Sequence, residues 1–448
     1  MMTGYTHRKF SGITVTFAAM LAFGAASLLV GEACAEDLSQ AVSTDVAARY
    51  VGIYRQGNVD AAVRVEHRGG YLTVMLPGRP PIRMLSDGNH SFHPEHLKTA
   101  RIVFDVTANR ATGYTFIDPS GNQRGVRTDE DLPKAGDLVC TPKTLTAGNG
   151  KEIKAEKCRL FVPENRSKQG SNLIELAFAR LISTAAKPGA PLIYLHGGPG
   201  GSSLHQARNS AALTRWSAFL DRGDVILLDQ RGCGDSTPSL RYLPSGSPTA
   251  LFGDRTTALR AIRKAVGEAA EHFRARGVDL DGYTTIESAD DLNDLRKALG
   301  VEKISLLGFS YGTHLAQATI RRHGKHLENV VICGVEGLDM THKFPLNMDT
   351  QFKKLSLMAA RDPEVARYVP DLYELTRRVF DKLEKKPMVV EVFDHDSGNY
   401  VKVPVGKFGL QLITRFDVGD ASDLVAYPRL LYSIDQGDSS MLGWFLQK

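Results

Sequence analysis

The feature that most limits what this chain can fold into is the run Ile304-Ser305-Leu306-Leu307-Gly308-Phe309-Ser310-Tyr311-Gly312-Thr313-His314. It places Gly-x-Ser-x-Gly directly after an apolar stretch that reads as a strand and directly before a helix-compatible stretch, Thr313 to Arg322. A strand-to-helix turn this sharp forces its central residue into a strained backbone conformation, and the flanking glycines leave room where side chains would collide. Ser310 is therefore expected to project its hydroxyl above a sheet as a nucleophile. The N–H of Tyr311, at the start of the helix, would face a developing oxyanion.

Upstream, the apolar stretch Leu192 to Leu195 runs into His196-Gly197-Gly198-Pro199-Gly200-Gly201-Ser202-Ser203. A turn so rich in glycine exposes backbone N–H groups, as the second half of an oxyanion hole requires. A phosphate-binding loop is disfavoured because neither its terminal Lys-Ser/Thr nor the order Gly-x-Gly-x-x-Gly is present. His196 is expected to be structural in that turn.

The segments His196 to Gly200, Asp229-Gln230-Arg231-Gly232-Cys233-Gly234-Asp235-Ser236 and Gly308 to Gly312 follow a recognisable order and spacing. In this the chain resembles the α/β-hydrolase proline iminopeptidases and exported tripeptidyl aminopeptidases, from about Cys140 to its end. Cys158 to Glu164 is similar to that family's first strand, and Gly334-Val335-Glu336-Gly337 with Pro345 to its exit from the sixth strand into the lid. The resemblance implies hydrolysis of peptides from a free amino terminus through an acyl-enzyme on Ser310. Gly198 and Tyr311 would supply the oxyanion N–H groups, and Arg231 and Asp235 would pin loops. Glu336 is the candidate carboxylate for the substrate ammonium. No cofactor and no metal are expected.

The expected fold class is α/β, a mainly parallel α/β-hydrolase sheet with a helical lid, preceded by a small antiparallel β module. Short apolar strands alternate with helical stretches from about Cys158 to Ile332. Between them Thr284 and Glu287 form a capping box, Leu292, Leu295 and Leu299 share a helix face, and Gly300 stops the helix. The boundaries drawn are 1–35 for a signal peptide, 36–135 for the β module, 136–344 for the hydrolase core and 345–448 for the lid. In the β module, four strands separated by turn residues loosely resemble the lipocalin-like modules of some exported serine hydrolases. There His90, His93 and His96 are spaced like metal ligands, but Pro94 and the lack of a cysteine favour a solvated loop over zinc.

A serine nucleophile needs a base and a carboxylate to orient it, in this fold following in the order Ser, Asp, His at the ends of later strands. Six core strands can be read up to Ile332. The later histidines, His314, His323, His326, His342 and His395, do not follow a suitable strand. The triad Asp and His are thus unknown and expected beyond residue 448, as in a C-terminally truncated relative. Two other functions remain open: an esterase or other acyl hydrolase, and a non-catalytic peptide-binding pseudoenzyme.

Lys+Arg 55 against Asp+Glu 50 gives +5 without a basic stripe, which argues against a nucleic-acid partner. The partner expected is a peptide or small acyl substrate. His7, Arg8 and Lys9 precede an almost uncharged stretch from Ile13 to Val30, and Ala33-Cys34-Ala35 offers a cleavage site after Ala35. A membrane anchor is the rival reading. With the signal removed, no later run is apolar enough to cross a membrane, so the protein is expected to be periplasmic or secreted. Cys140, Cys158, Cys233 and Cys333 then remain, and three pairings are open. Cys140 with Cys158 is preferred because the pair closes a short polar loop.

Overall fold

The computed structural model describes residues 41–447 apart from 57–61, 77–78, 96, 120, 243–247, 340–344, 395–397 and 418–424. Residues 1–35, expected to be a signal peptide, and His96, His342 and His395 lie outside the described residues. The chain divides into two compact units, one running to Tyr242 and resuming over Ala269–Thr341, the other made of Leu243–Glu268 with His342–Lys448. The β module and the hydrolase core thus share a unit. The boundary placed at 344/345 leaves out Leu243–Glu268, which groups with the later residues.

Alternating apolar and polar residues separated by tight turns produce more strands in the β module than the four expected. They are β1 (Gly52–Gln56), β2 (Ala62–Arg68), β3 (Tyr71–Met75), β4 (Ile82–Gly88), β5 (Ser91–Pro94), β6 (Arg101–Thr107), β7 (Arg110–Asp118) and β8 (Gly121–Arg127). Each pairs antiparallel with the next, and β8 returns to β1, closing a barrel. Tyr50, Tyr54, Phe92, Phe104 and Tyr114 fill its interior, with ring centroids between 4.9 and 6.2 Å apart along the chain of contacts. The loop expected around the histidines is partly strand. His93 lies in β5, and His90 sits at the β4–β5 turn with Nδ1 2.7 Å from the Tyr50 hydroxyl.

The core sheet has the order β15-β14-β12-β13-β11-β10-β9. Its strands are β9 (Leu138–Thr146), β10 (Glu152–Pro163), β11 (Leu173–Leu181), β12 (Leu192–Leu195), β13 (Val225–Leu228), β14 (Ile304–Phe309) and β15 (Leu327–Cys333). The β12, β13, β14 and β15 set pairs in parallel, whereas β9, β10 and β11 are joined antiparallel. The six strands read from sequence are present, and β9 is a seventh. It sits at the sheet edge and carries mostly exposed residues, so it lacks the apolar run that marks its neighbours. Cys140 and Cys158 face each other in register across β9 and β10 and are bridged.

The helix Thr285–Ala298 begins at Thr284, whose hydroxyl accepts the Glu287 N–H, and ends where Gly300 turns at φ +67°. It buries Leu292 and Leu295 against the sheet core with Leu306 and Leu315. In the second unit, the helix Leu372–Lys385 buries Leu372, Leu375, Val379 and Leu383 together with Leu430, Leu431 and Ile434 of the helix Tyr427–Asp435. The hairpin β16 (Met388–Asp394) and β17 (Asn399–Val405) contributes Val390 and Val403 to the same cluster.

Barrel and sheet are joined by buried charge. Arg64, on β2, donates to Glu175, on β11, at 3.3 Å, and Arg159 on β10 also donates to Glu175. Arg68 donates to the Leu173 carbonyl at 2.8 Å, and Arg276 approaches Glu95 at 3.2 Å. Removing Arg64 takes one of two guanidiniums from the buried Glu175 and leaves it paired with Arg159 alone. Arg64→Met is therefore expected to destabilise this unit by about 1–3 kcal/mol, read as a lower urea midpoint. Adding Glu175→Gln to that variant also takes the carboxylate from Arg159 and should lower the midpoint further.

Candidate active site

The turn between β14 and the helix Tyr311–His323 holds Ser310 at φ 53° and ψ −122°, a region that a residue with a side chain occupies only under constraint. The constraint comes from both neighbouring strands. A Cβ on Gly312 would stand 2.0 Å from the Leu195 carbonyl oxygen, so only glycine lets the helix lie this close to β12. On the other side, the Ser310 N–H donates to the Cys333 carbonyl at the end of β15, at 3.0 Å. Gly308 is needed for the same reason, since a Cβ there would meet the Gly312 carbonyl oxygen at 2.5 Å.

The glycine turn after β12 packs directly against this serine. A Cβ on Gly197 would stand 2.9 Å from both the Phe309 carbonyl oxygen and the Ser310 Cβ. Gly198 follows at φ +126°, joined to Pro199 by a cis peptide. Tyr311 occupies the first helical position, where the helix ladder offers its N–H no acceptor. The Tyr311 ring is turned away toward Thr285, its hydroxyl 3.0 Å from Thr285 Oγ1. Burial, ahead of the Thr285 hydrogen bond that opposes it, raises that phenol above its ordinary value.

Glu336 lies beside the serine. Ser310 Oγ donates to Glu336 Oε1 at 3.4 Å. The loop that brings it there is stitched to the helix by its backbone. The Glu336 N–H donates to Thr313 Oγ1 at 2.8 Å, Thr313 Oγ1 donates to the Ser310 carbonyl at 2.7 Å, and Gln317 Nε2 donates to the Glu336 carbonyl at 2.7 Å. Sequence reasoning had no signal for Thr313 and Gln317, which act only through this fold.

Three of the described histidines are engaged elsewhere. His314 stacks on Tyr311 and places Nδ1 3.2 Å from the Gly337 carbonyl, and His196 Nδ1 lies 3.1 Å from the Gly197 carbonyl. His323 pairs with Asp290 at 2.7 Å.

The Asp229 to Ser236 segment is the buried support of the site. Asp229 accepts from Ser202 Oγ, the Leu204 N–H and the Asp235 N–H at 3.0, 3.0 and 2.8 Å. Its carboxyl is nonetheless held above its ordinary value by burial, which those hydrogen bonds oppose. Arg231 donates to both oxygens of Asp291, at 2.8 and 2.6 Å, and to the carbonyls of Glu164 and Gly282. Asp235 pairs with Arg208. Burial, then the Asp229 charge, pushes the Cys233 thiol up to about 12, so it stands protonated at neutral pH and is no rival nucleophile.

Residues 190–369 match the alpha/beta hydrolase fold family, spanning the glycine turn, Ser310 and Glu336. This chain carries an α/β-hydrolase fold. Among curated proteins it is 34% identical over 183 residues to a tripeptidyl aminopeptidase of Streptomyces coelicolor, covering 39% of this chain and 34% of that one. It is 26% identical over 183 residues to the serine protease Hip1 of Mycobacterium tuberculosis, covering 39% and 35%. A proline iminopeptidase of Xylella fastidiosa is 25% identical over 147 residues, covering 33% of each. The chain thus spans about a third of the length of these curated relatives. No helix among its described residues is long and apolar enough to cross a membrane.

The glycine contacts set a sharp contrast. Gly312→Ala is expected to cost more than about 3 kcal/mol or to prevent folding, because the obstacle at 2.0 Å is backbone. Gly267→Ala, in the helix Arg255–Arg274 with nothing within 4 Å, should instead be neutral or stabilising by about 0.5–1 kcal/mol. Thermal melts of the two variants check both.

Proposed function

We propose that the chain is a serine aminopeptidase, in which Ser310 Oγ attacks the carbonyl carbon of an amino-terminal residue. As the ester forms, a general base takes the serine proton and returns it to the amine as the C–N bond breaks, and water then releases the residue from Ser310 as its free acid. The N–H groups of Gly198 and Tyr311 are assigned to the oxyanion, and no cofactor is assigned to the reaction.

The observation that carries this reading is the 3.4 Å between Ser310 Oγ and Glu336 Oε1. A substrate with its carbonyl carbon at Ser310 has its own α-ammonium only two bonds away, within reach of that carboxylate. The ammonium of a tripeptide unit would lie two residues farther back, about 7 Å at extended-chain spacing. The geometry therefore favours release of a single residue. The same reading takes in export, which rests on the amino-terminal pattern of His7-Arg8-Lys9, the almost uncharged stretch Ile13 to Val30 and Ala33-Cys34-Ala35.

Fluorophosphonate labelling and three substrates test it. Ser310 should be the labelled residue, and Ser310→Ala should abolish turnover of prolyl- or alanyl-naphthylamide. Glu336→Gln should raise KM for these free-amine amides by about tenfold or more, as loss of a charge-assisted pair does, and affect KM for nitrophenyl esters, which carry no ammonium, far less. Faster cleavage of a tripeptidyl-naphthylamide would shift the reading to tripeptide release, and ester turnover without any amide turnover would overturn the peptidase.

A further inference from the structure

The outer wall of the barrel carries a depression that the hydrolase chemistry does not use. Leu85, Asp87, His93, Lys98 and Arg101 line a cavity of about 230 Å³ there. Strand register brings them together. Leu85 is paired with His93 across β4 and β5, and Arg101 comes one residue beyond the Phe92–Ile102 pair of β5 and β6, level with His93. Their neighbours Met84, Phe92 and Ile102 are buried in the barrel, so the two-residue alternation turns Leu85, His93 and Arg101 outward. Lys98 comes from the connection between β5 and β6.

The charges are unbalanced in one direction. His93 Nδ1 lies 2.6 Å from Asp87 Oδ1. A carboxylate can only accept, so Nδ1–H donates; this fixes the ring, engages the one acidic group of the lining and leaves Nε2 for another partner. Several other cations of the barrel have carboxylates: Arg55 with Glu130, Arg64 and Arg68 with Glu66, Arg83 with Glu95, and Arg124 with Asp105. Lys98 and Arg101 have none among the described residues. Two unpaired cations converging on one depression repel each other until an anion enters.

We infer that this depression is a binding site for a phosphate group, as inorganic phosphate or as the head of a small monoester or lipid. The Arg101 guanidinium offers the planar fork that grips two phosphate oxygens, and Lys98 supplies a second positive charge. Leu85 gives an apolar wall to the organic part of an ester. The site stands on the barrel and is independent of Ser310.

Titration calorimetry of the full chain with inorganic phosphate and with glycerol phosphate tests the inference. So does co-sedimentation with phosphatidylcholine vesicles with and without phosphatidic acid. At least one probe should bind, a soluble phosphate with Kd below about 1 mM. Lys98→Gln and Arg101→Gln should each weaken that binding by about tenfold, with melting temperature and naphthylamide turnover as in the parent. Binding of a soluble phosphate makes the free compound the source; binding of phosphatidic acid vesicles alone makes it a lipid headgroup. Failure of every probe to bind, or binding by both variants equal to the parent, overturns the site.

Discussion

Everything at the Ser310 turn depends on how closely one helix lies against one strand. With the Leu195 carbonyl where a Cβ of Gly312 would be, the helix Tyr311–His323 starts almost on top of β12. The chain leaving β14 then has a single residue in which to reverse, and that residue takes φ 53°. The strain at Ser310 is thus the local cost of dense packing between β12, β14 and the helix, held in place by the hydrogen bond to Cys333. The same closeness brings Gly197 against Ser310, so the glycine turn and the serine share a surface without any contact between long side chains.

Steric requirements of this kind were the most legible part of the sequence. Gly308 and Gly312 are readable because a Cβ at either meets backbone, and the central core strands because burial on both faces demands continuous apolar runs. The edge strand β9 was not legible: Val139 is exposed, and the residues around it are largely polar, so it has the composition of a linker. His93 escaped for a related reason. Its neighbour Pro94 speaks against a helix, and a strand as short as β5 leaves little periodicity to detect. Glu336 could be named as a carboxylate but not placed, because its position rests on a hydrogen bond that its N–H donates to Thr313 and one that its carbonyl accepts from Gln317, spanning 19 to 23 residues of chain.

Below the site, polar groups are buried in networks. Arg166 and Arg231 share Asp291 and Glu287, while Tyr283 donates to Glu164 at 2.8 Å. Apolar packing can tolerate small slips; a guanidinium engaged with fixed carbonyls and carboxylates cannot move without leaving acceptors empty. This makes the platform beneath the glycine turn specific in position, which a site of a few aligned backbone N–H groups requires.

The Arg64–Glu175 contact has a temporal side. The barrel is built from strands adjacent in sequence, each paired to the next, so its contacts are local and it leaves no open edge when closed. A chain emerging from its amino end can complete this barrel before Glu175 has been synthesised. When β11 forms, Glu175 meets a guanidinium already fixed on β2 and is desolvated against a waiting partner. The order of synthesis and the order of charge burial then coincide.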